Sequence, residues 1–176
     1  MQNMSTSGLL NNMFDPFIRN LMERYTENPQ EAIGDGWFGP WTAILTTLFP
    51  SAQHYIVTPH LRPLDPDSHL IIEVVKMTTA PITLRSVLII AIGNAENLRP
   101  GIPVPERELN RQIDTAFAGT ARSKIYWIES IGPRWRYGEK EDDGQDVQPL
   151  IAWHDTTHDQ ASFDDFQTLT GLVAAL

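Results

Sequence analysis

The chain has 176 residues, 13 lysines and arginines against 22 aspartates and glutamates, a net charge of −9 and no cysteine. Disulfides, thiolate metal sites and cysteine nucleophiles are therefore excluded. The acidity opposes global binding to nucleic acid and leaves only a local basic patch for that role.

Asp15-Pro16 predicts a helix start, an N-cap followed by proline at the first helical position. Phe17, Ile18, Leu21, Met22 and Tyr25 recur at helical spacing as its inward side, and Asn28-Pro29 ends it. Residues 31–36 read as a loop. Trp37-Phe-Gly-Pro-Trp41 opens a second helix, Trp41 to Phe49, closed by Pro50. Ala52 to Thr58 reads as a strand, and 59–67 as a proline-punctuated turn region. Leu70 to Lys76 and Val87 to Ile92 are two further strands, joined through Thr78 to Pro81. The second of these is unbroken apolar, rich in β-branched residues and stopped by Gly93-Asn94. That pattern predicts a strand buried on both faces at the sheet centre, with a buried helical segment as the competing reading.

Residues 97–105 form a loop with three prolines. Arg107 to Ala118 is a third helix, with Leu109, Ile113, Ala116 and Phe117 in one stripe and Gly119 as its stop. Lys124 to Ser130 is a strand. Gly132-Pro133 turns it into Arg134-Trp-Arg-Tyr137, whose alternation predicts a strand wet on one face. The acidic stretch Gly138 to Val147 reads as an exposed loop, and Leu150 to Trp153 as a last strand. Ser162 and Asp165, at capping-box spacing, open a final helix with Phe163, Phe166, Leu169, Leu172 and Val173 inward. This order predicts one α/β (α+β) domain with a central mixed β-sheet flanked by helices. Residues 1–36 are a helical extension, 37–153 the core and 154–176 the carboxy-terminal helix. No apolar run reaches the roughly 18 residues of a membrane span. Met1 to Ser7 lacks a secretory pattern, so an intracellular setting, cytoplasm or nucleus, without a membrane partner is expected.

Several residues carry more specific resemblance. Gly39-Pro-Trp41 stands before a core helix and Leu48-Phe-Pro50 at its end. Pro66-Asp67 leads into a strand, the apolar strand Val87 to Ile92 follows, and Arg111-Gln112 sits in the next helix. Ile125-Tyr-Trp-Ile-Glu-Ser-Ile-Gly132 comes last. In that order these resemble the restriction-endonuclease-like, PD-(D/E)XK nuclease core over roughly residues 37–153. More narrowly, they are similar to a group of short fungal proteins with that core. The family cuts phosphodiesters with magnesium held by an aspartate on one strand and an acid on the next, with a lysine two positions later. Two carboxylates bind the hard cation, which activates a water, and the lysine stabilises the developing charge. The resemblance puts Asp67 at the first acid, the metal ligand, and Gln112 facing the site. It puts Ala91 and Gly93 where the second acid and the lysine belong, and neither can do that chemistry.

Glu73 and Lys76 are substitute candidates. Lying three apart, they point to opposite faces of a strand unless a bulge intervenes, and the bland alternative makes them solvated strand residues. Asp67 reads equally as a turn residue after Pro66, and Gln112 as a helix-surface glutamine. Arg134 and Arg136 share a strand face and form the best local basic patch for nucleic acid. Their alternative is a solvated face balanced by the acidic stretch. Trp127, Trp135, Tyr137 and Trp153 form either a stacking platform or core. His154 and His158, four apart, suit a metal only on a helix, and their neighbours suit a loop better. The expected protein is thus a non-catalytic nuclease-fold relative, a pseudoenzyme that binds another protein or nucleic acid and needs no cofactor. The alternative is a magnesium-dependent endonuclease with rearranged ligands. A third reading is a homodimer formed through a strand edge or the amino-terminal helix.

Overall fold

The computed structural model describes residues 14–29, 36–60, 70–93, 106–118, 124–141 and 146–176, and for 106–108 the backbone alone. Asp67, the predicted loops over 31–35 and 97–105, and the helix stop at Gly119 lie outside these residues.

Val87 to Ile92 does what its composition demands. It lies in the strand Ile82–Gly93, which is buried continuously from Ser86 onward. The described elements run α1 (Pro16–Glu27), α2 (Phe38–Leu48), a 3-10 turn (Ser51–Gln53), β1 (Tyr55–His60), β2 (Leu70–Thr79) and β3 (Ile82–Gly93). Then come α3 (Glu106–Phe117), β4 (Lys124–Ile131), β5 (Arg134–Glu141), β6 (Gln148–Pro149) and α4 (Gln160–Ala174). The strands form one sheet in chain order. Neighbours are antiparallel except β3 and β4, which run parallel, with α3 between them in the chain. The result is the predicted mixed sheet flanked by helices.

Each sheet face buries a different set. Ile72, Val74, Leu88, Ile90, Tyr126, Ile128, Trp135 and Tyr137 pack with Trp41, Ile44 and Leu45 of α2, Met22 of α1, and Phe166, Leu169 and Val173 of α4. Ile71, Ile89, Ala91, Ile125 and Trp127 face the other way, against Leu109, Ile113 and Phe117 of α3. Trp135 is the hub of the first face. Its ring stacks on Phe166 at 4.1 Å, and Trp41 meets it edge-on at 6.0 Å.

The structure corrects six details. The strand expected over Ala52 to Thr58 spans Tyr55–His60 and follows a 3-10 turn at Ser51–Gln53, so Pro59 and His60 are strand and not turn. The second helix starts at Phe38, three residues before Trp41, because proline is tolerated in a first turn that needs no N–H partners. Phe17 is 70% exposed, and of α1 only Met22 is fully buried. β5 runs on to Glu141 where a loop was expected from Gly138. A side chain at Gly138 would run into the Gln148 carbonyl and the Trp127 ring, so glycine lets β6 and Trp127 close on this strand. Leu150 to Trp153 is not a strand. β6 is the two residues before it, and His154 instead bridges to Trp135 through N–H···O bonds in both directions. Finally, the cap of α4 is Asp159, which accepts from the Ser162 N–H at 2.8 Å. Ser162 is buried instead, donating to the Thr156 carbonyl and accepting from Trp135 Nε1.

Candidate functional site

The register of four strand pairs aligns His60, Ile71, Ala91, Glu129 and Arg136 in one row across the sheet. Residues paired this way share a face, here the one under α3. Ala91 is fully buried there among Ile71, Ile89, Leu109 and Ile113. Gly93 pairs with Ile131. The two positions that the resemblance would give to the second acid and the lysine, Ala91 and Gly93, are therefore a packed core residue and a buried glycine.

One strand over from Ala91 stands a carboxylate that sequence reasoning did not single out. Glu129 is fully buried, and its Oε2 accepts from Arg136 Nε at 2.8 Å. The Arg136 guanidinium also lies 4.8 Å above the Trp153 ring and 5.8 Å from that of Trp127. Such a buried pair is held by mutual attraction and ring contacts, and it engages Oε2 of the carboxylate. Arg134 sits 5.5 Å over Trp153 and pairs with the exposed Asp155 at 3.2 Å. Both arginines of the expected basic patch therefore already face carboxylates.

Glu73 points to the same sheet face as Ala91. Its Oε2 lies 2.8 Å from His60 Nε2, and its Oε1 accepts from Ser86 Oγ. The carboxylate stands between serine and histidine, so the histidine does not touch the hydroxyl and cannot take its proton. Lys76 lies on the opposite face, with Nζ 3.5 Å from the Ala174 carbonyl at the end of α4 and 5.6 Å over the Tyr55 ring. A bulge does occur beside them, but it is Val87 of β3 that is the extra residue. The alternation of β2 survives, so Glu73 and Lys76 do not meet. Gln112 is half-buried on α3, next to Ile113 of its apolar stripe.

The four aromatic candidates divide between layers. Trp135 and Tyr137 belong to one core face and Trp127 to the other, while Trp153 is half-buried beside the arginines. No common stacking platform results. His154 and His158 are not on a helix. His154 Nε2 lies 2.7 Å from Asp165 Oδ2, and His158 Nδ1 lies 2.6 Å from Thr156 Oγ1. Among the described residues no group of three or more histidines and carboxylates could hold a metal. With Ala91 apolar, Glu129 bound to Arg136 and Glu73 bound to His60 and Ser86, the described side chains do not fit a magnesium ion at this end of β3.

Two polar features lie elsewhere. An open groove of about 610 Å³ is lined by Asn110, Arg111, Asp114, Thr115, Ala118 and Asp146. Beneath it Lys140, 5% exposed, donates to Asn110 Oδ1 at 2.9 Å and Asp114 Oδ1 at 2.6 Å. On the first core face Lys124 bridges Glu139 at 2.8 Å and Glu141 at 3.3 Å. The bond to Glu139 raises the Lys124 pKa above its ordinary value. Burial raises the phenols of Tyr126 and Tyr137.

No described helix is long and apolar enough to cross a membrane. Compared with known proteins, the chain matches no family model, no curated protein and no solved structure.

Proposed function

We propose that this chain is a non-catalytic relative of the restriction-endonuclease-like nucleases, working as a binding or interaction module. The observation that carries the reading is Ala91, which is sealed beneath α3 with the carboxylate paired opposite it, Glu129, bound to Arg136. A metal-dependent hydrolase needs two carboxylates free to share a cation with water. Here the row holds histidine, isoleucine, alanine and an ion pair. Further support comes from the order helix, three strands, helix, strand, with the third and fourth strands parallel. That order agrees with the family core suggested by the motifs in the sequence.

Incubation of purified full-length protein with plasmid DNA and single-stranded RNA, in magnesium or manganese, tests this. The expected result is no cleavage above buffer and no rise in melting temperature with either ion, since a cation held only by the folded state must stabilise it. Metal-dependent cleavage that Asp67→Ala abolishes would replace the reading with that of an endonuclease using rearranged ligands.

A further inference from the structure

The row Gly93, Ile131 and Arg134 crosses the carboxyl ends of the parallel strands β3 and β4. Ligands of open sheets with parallel strands gather beyond such ends. Here the charged side chains grade outward from core to solvent. Glu129 is fully buried, Arg136 is 16% exposed and Arg134 is 44% exposed. Both guanidinium groups lie over the Trp153 ring, that of Arg136 at 4.8 Å and that of Arg134 at 5.5 Å. Glu129 engages the inner arginine from within the core. The outer arginine is held differently. Its one ion pair runs from Nε to Asp155 at 3.2 Å, and the Asp155 side chain is 89% exposed. A pair that wet is screened by water and salt and yields to a better anion. The two terminal amines of Arg134 have no hydrogen-bond partner among the described residues. The ring contact restrains the side chain, so less rotamer freedom is lost when a ligand arrives.

We propose that Arg134, restrained by Trp153, binds the phosphate group of a small phosphate ester. A guanidinium fork matches the oxygens of a phosphate, and its charge is permanent. A phosphate also carries more charge and more acceptor oxygens than a carboxylate such as Asp155, so it competes well for the terminal amines. Once Asp155 swings into solvent, Glu129 still offsets Arg136, and Arg134 is the one uncompensated cation of the group. That count sets a weak, single-phosphate site. Net charge decides between a small ester and a nucleic acid. The molecule carries −9, and a strand would lay repeated phosphates across acidic surface. A lone phosphate responds mainly to charges within roughly 8 Å at physiological salt, where the arginines stand. This names a ligand class for the binding module proposed above and rests on that reading. The two fail separately, because metal-dependent cleavage overturns the module and lost phosphate binding overturns the site.

Side-chain NMR of the isotope-labelled full chain tests the site, read at the Arg134 Nε–H and the Trp153 indole N–H. The probes are glycerol phosphate, inorganic phosphate and a single-stranded oligonucleotide, at about pH 8 where a phosphate ester is a dianion. Added chloride holds the ionic strength constant. Glycerol phosphate is expected to shift both signals saturably, with a Kd on the order of 1–10 mM. Arg134→Gln should weaken binding at least about 10-fold at the Trp153 signal, with an unchanged circular dichroism spectrum. Asp155→Asn should tighten it about 3-fold by removing the competing carboxylate, the reverse of what structural damage would do. The proposal is overturned by the absence of a saturable shift below about 50 mM, by full affinity in R134Q, or by weakening in D155N. Inorganic phosphate binding without glycerol phosphate binding also overturns it. Tighter binding of the oligonucleotide at equal phosphate concentration replaces it with a nucleic-acid interface. If R134Q loses its native spectrum, Arg134→Lys, which keeps the charge and loses the fork, is read by the same criteria.

Discussion

Glu129 and Arg136 show what a single side chain can fix. A carboxylate in the middle of an apolar strand must meet a cation or stay protonated, because an unpaired buried charge costs several kcal/mol. Arg136 supplies the cation across the β4–β5 hairpin. Arg136→Ala should therefore lower unfolding stability by about 3 kcal/mol in a urea titration. Replacing both partners, E129L/R136M, should recover most of that loss, since well-packed apolar pairs often equal buried ionic ones. Recovery below about 1 kcal/mol would mean the pair does more than neutralise itself. Gly138 is a second such position. Gly138→Ala should cost about 1–3 kcal/mol, because the added methyl must displace either the Gln148 backbone or the Trp127 indole. An unchanged denaturation midpoint would show that β6 detaches freely.

At the scale of elements, α4 is joined to the sheet by packing and by its amino-terminal turn. Phe166, Leu169 and Val173 supply the packing. The turn is held by the Asp159 cap, Ser162 and the His154–Asp165 contact. Asp159→Ala should cost about 1 kcal/mol by differential scanning calorimetry, the usual worth of a side-chain cap. No loss would mean that Ser162 and His154 alone fix the helix start. The same turn explains a misreading. Ser162 and Asp165 have capping-box spacing, yet Ser162 is drawn inward by Trp135 Nε1, a partner 27 residues earlier in the chain, while Asp165 turns to His154. Local spacing could not show either competitor. The long apolar strands and the α3 stripe were legible because their period and composition fix burial without a partner's help. The short β6 was not, since two residues carry no period.

Over the whole molecule, the raised pKa values all point the same way. Lys124 is raised by its bond to Glu139, and Tyr126 and Tyr137 by burial. A group whose pKa is raised on folding holds its proton longer in the native state. The native state then binds more protons between the two pKa values, and stability falls as pH rises through that window. Stability from these groups should be fully present below their ordinary values of 10.0 for tyrosine and 10.5 for lysine, and be lost above them. Urea midpoints measured upward from pH 9 should decline in that range. Glu139→Gln should soften the decline, since it removes the largest influence on Lys124. A midpoint that does not move there would remove these groups from the alkaline balance.

The chain alone fixed the class of fold, a central apolar strand with helices to either side, because burial pattern and turn residues are local properties. It also placed the turn between β4 and β5 at Gly132-Pro133. The structure shows that turn to be two residues long, with Gly132 at φ 58°, and so sets Glu129 opposite Arg136. What the sequence could not decide was which polar side chains meet across strands distant in the chain. Glu73 with His60 and Ser86, and Lys76 with the end of α4, depend on strand order and on which residue bulges. Those are set by the packing of the whole sheet, so only the tertiary structure could show that the acid beside Ala91 is bound to Arg136.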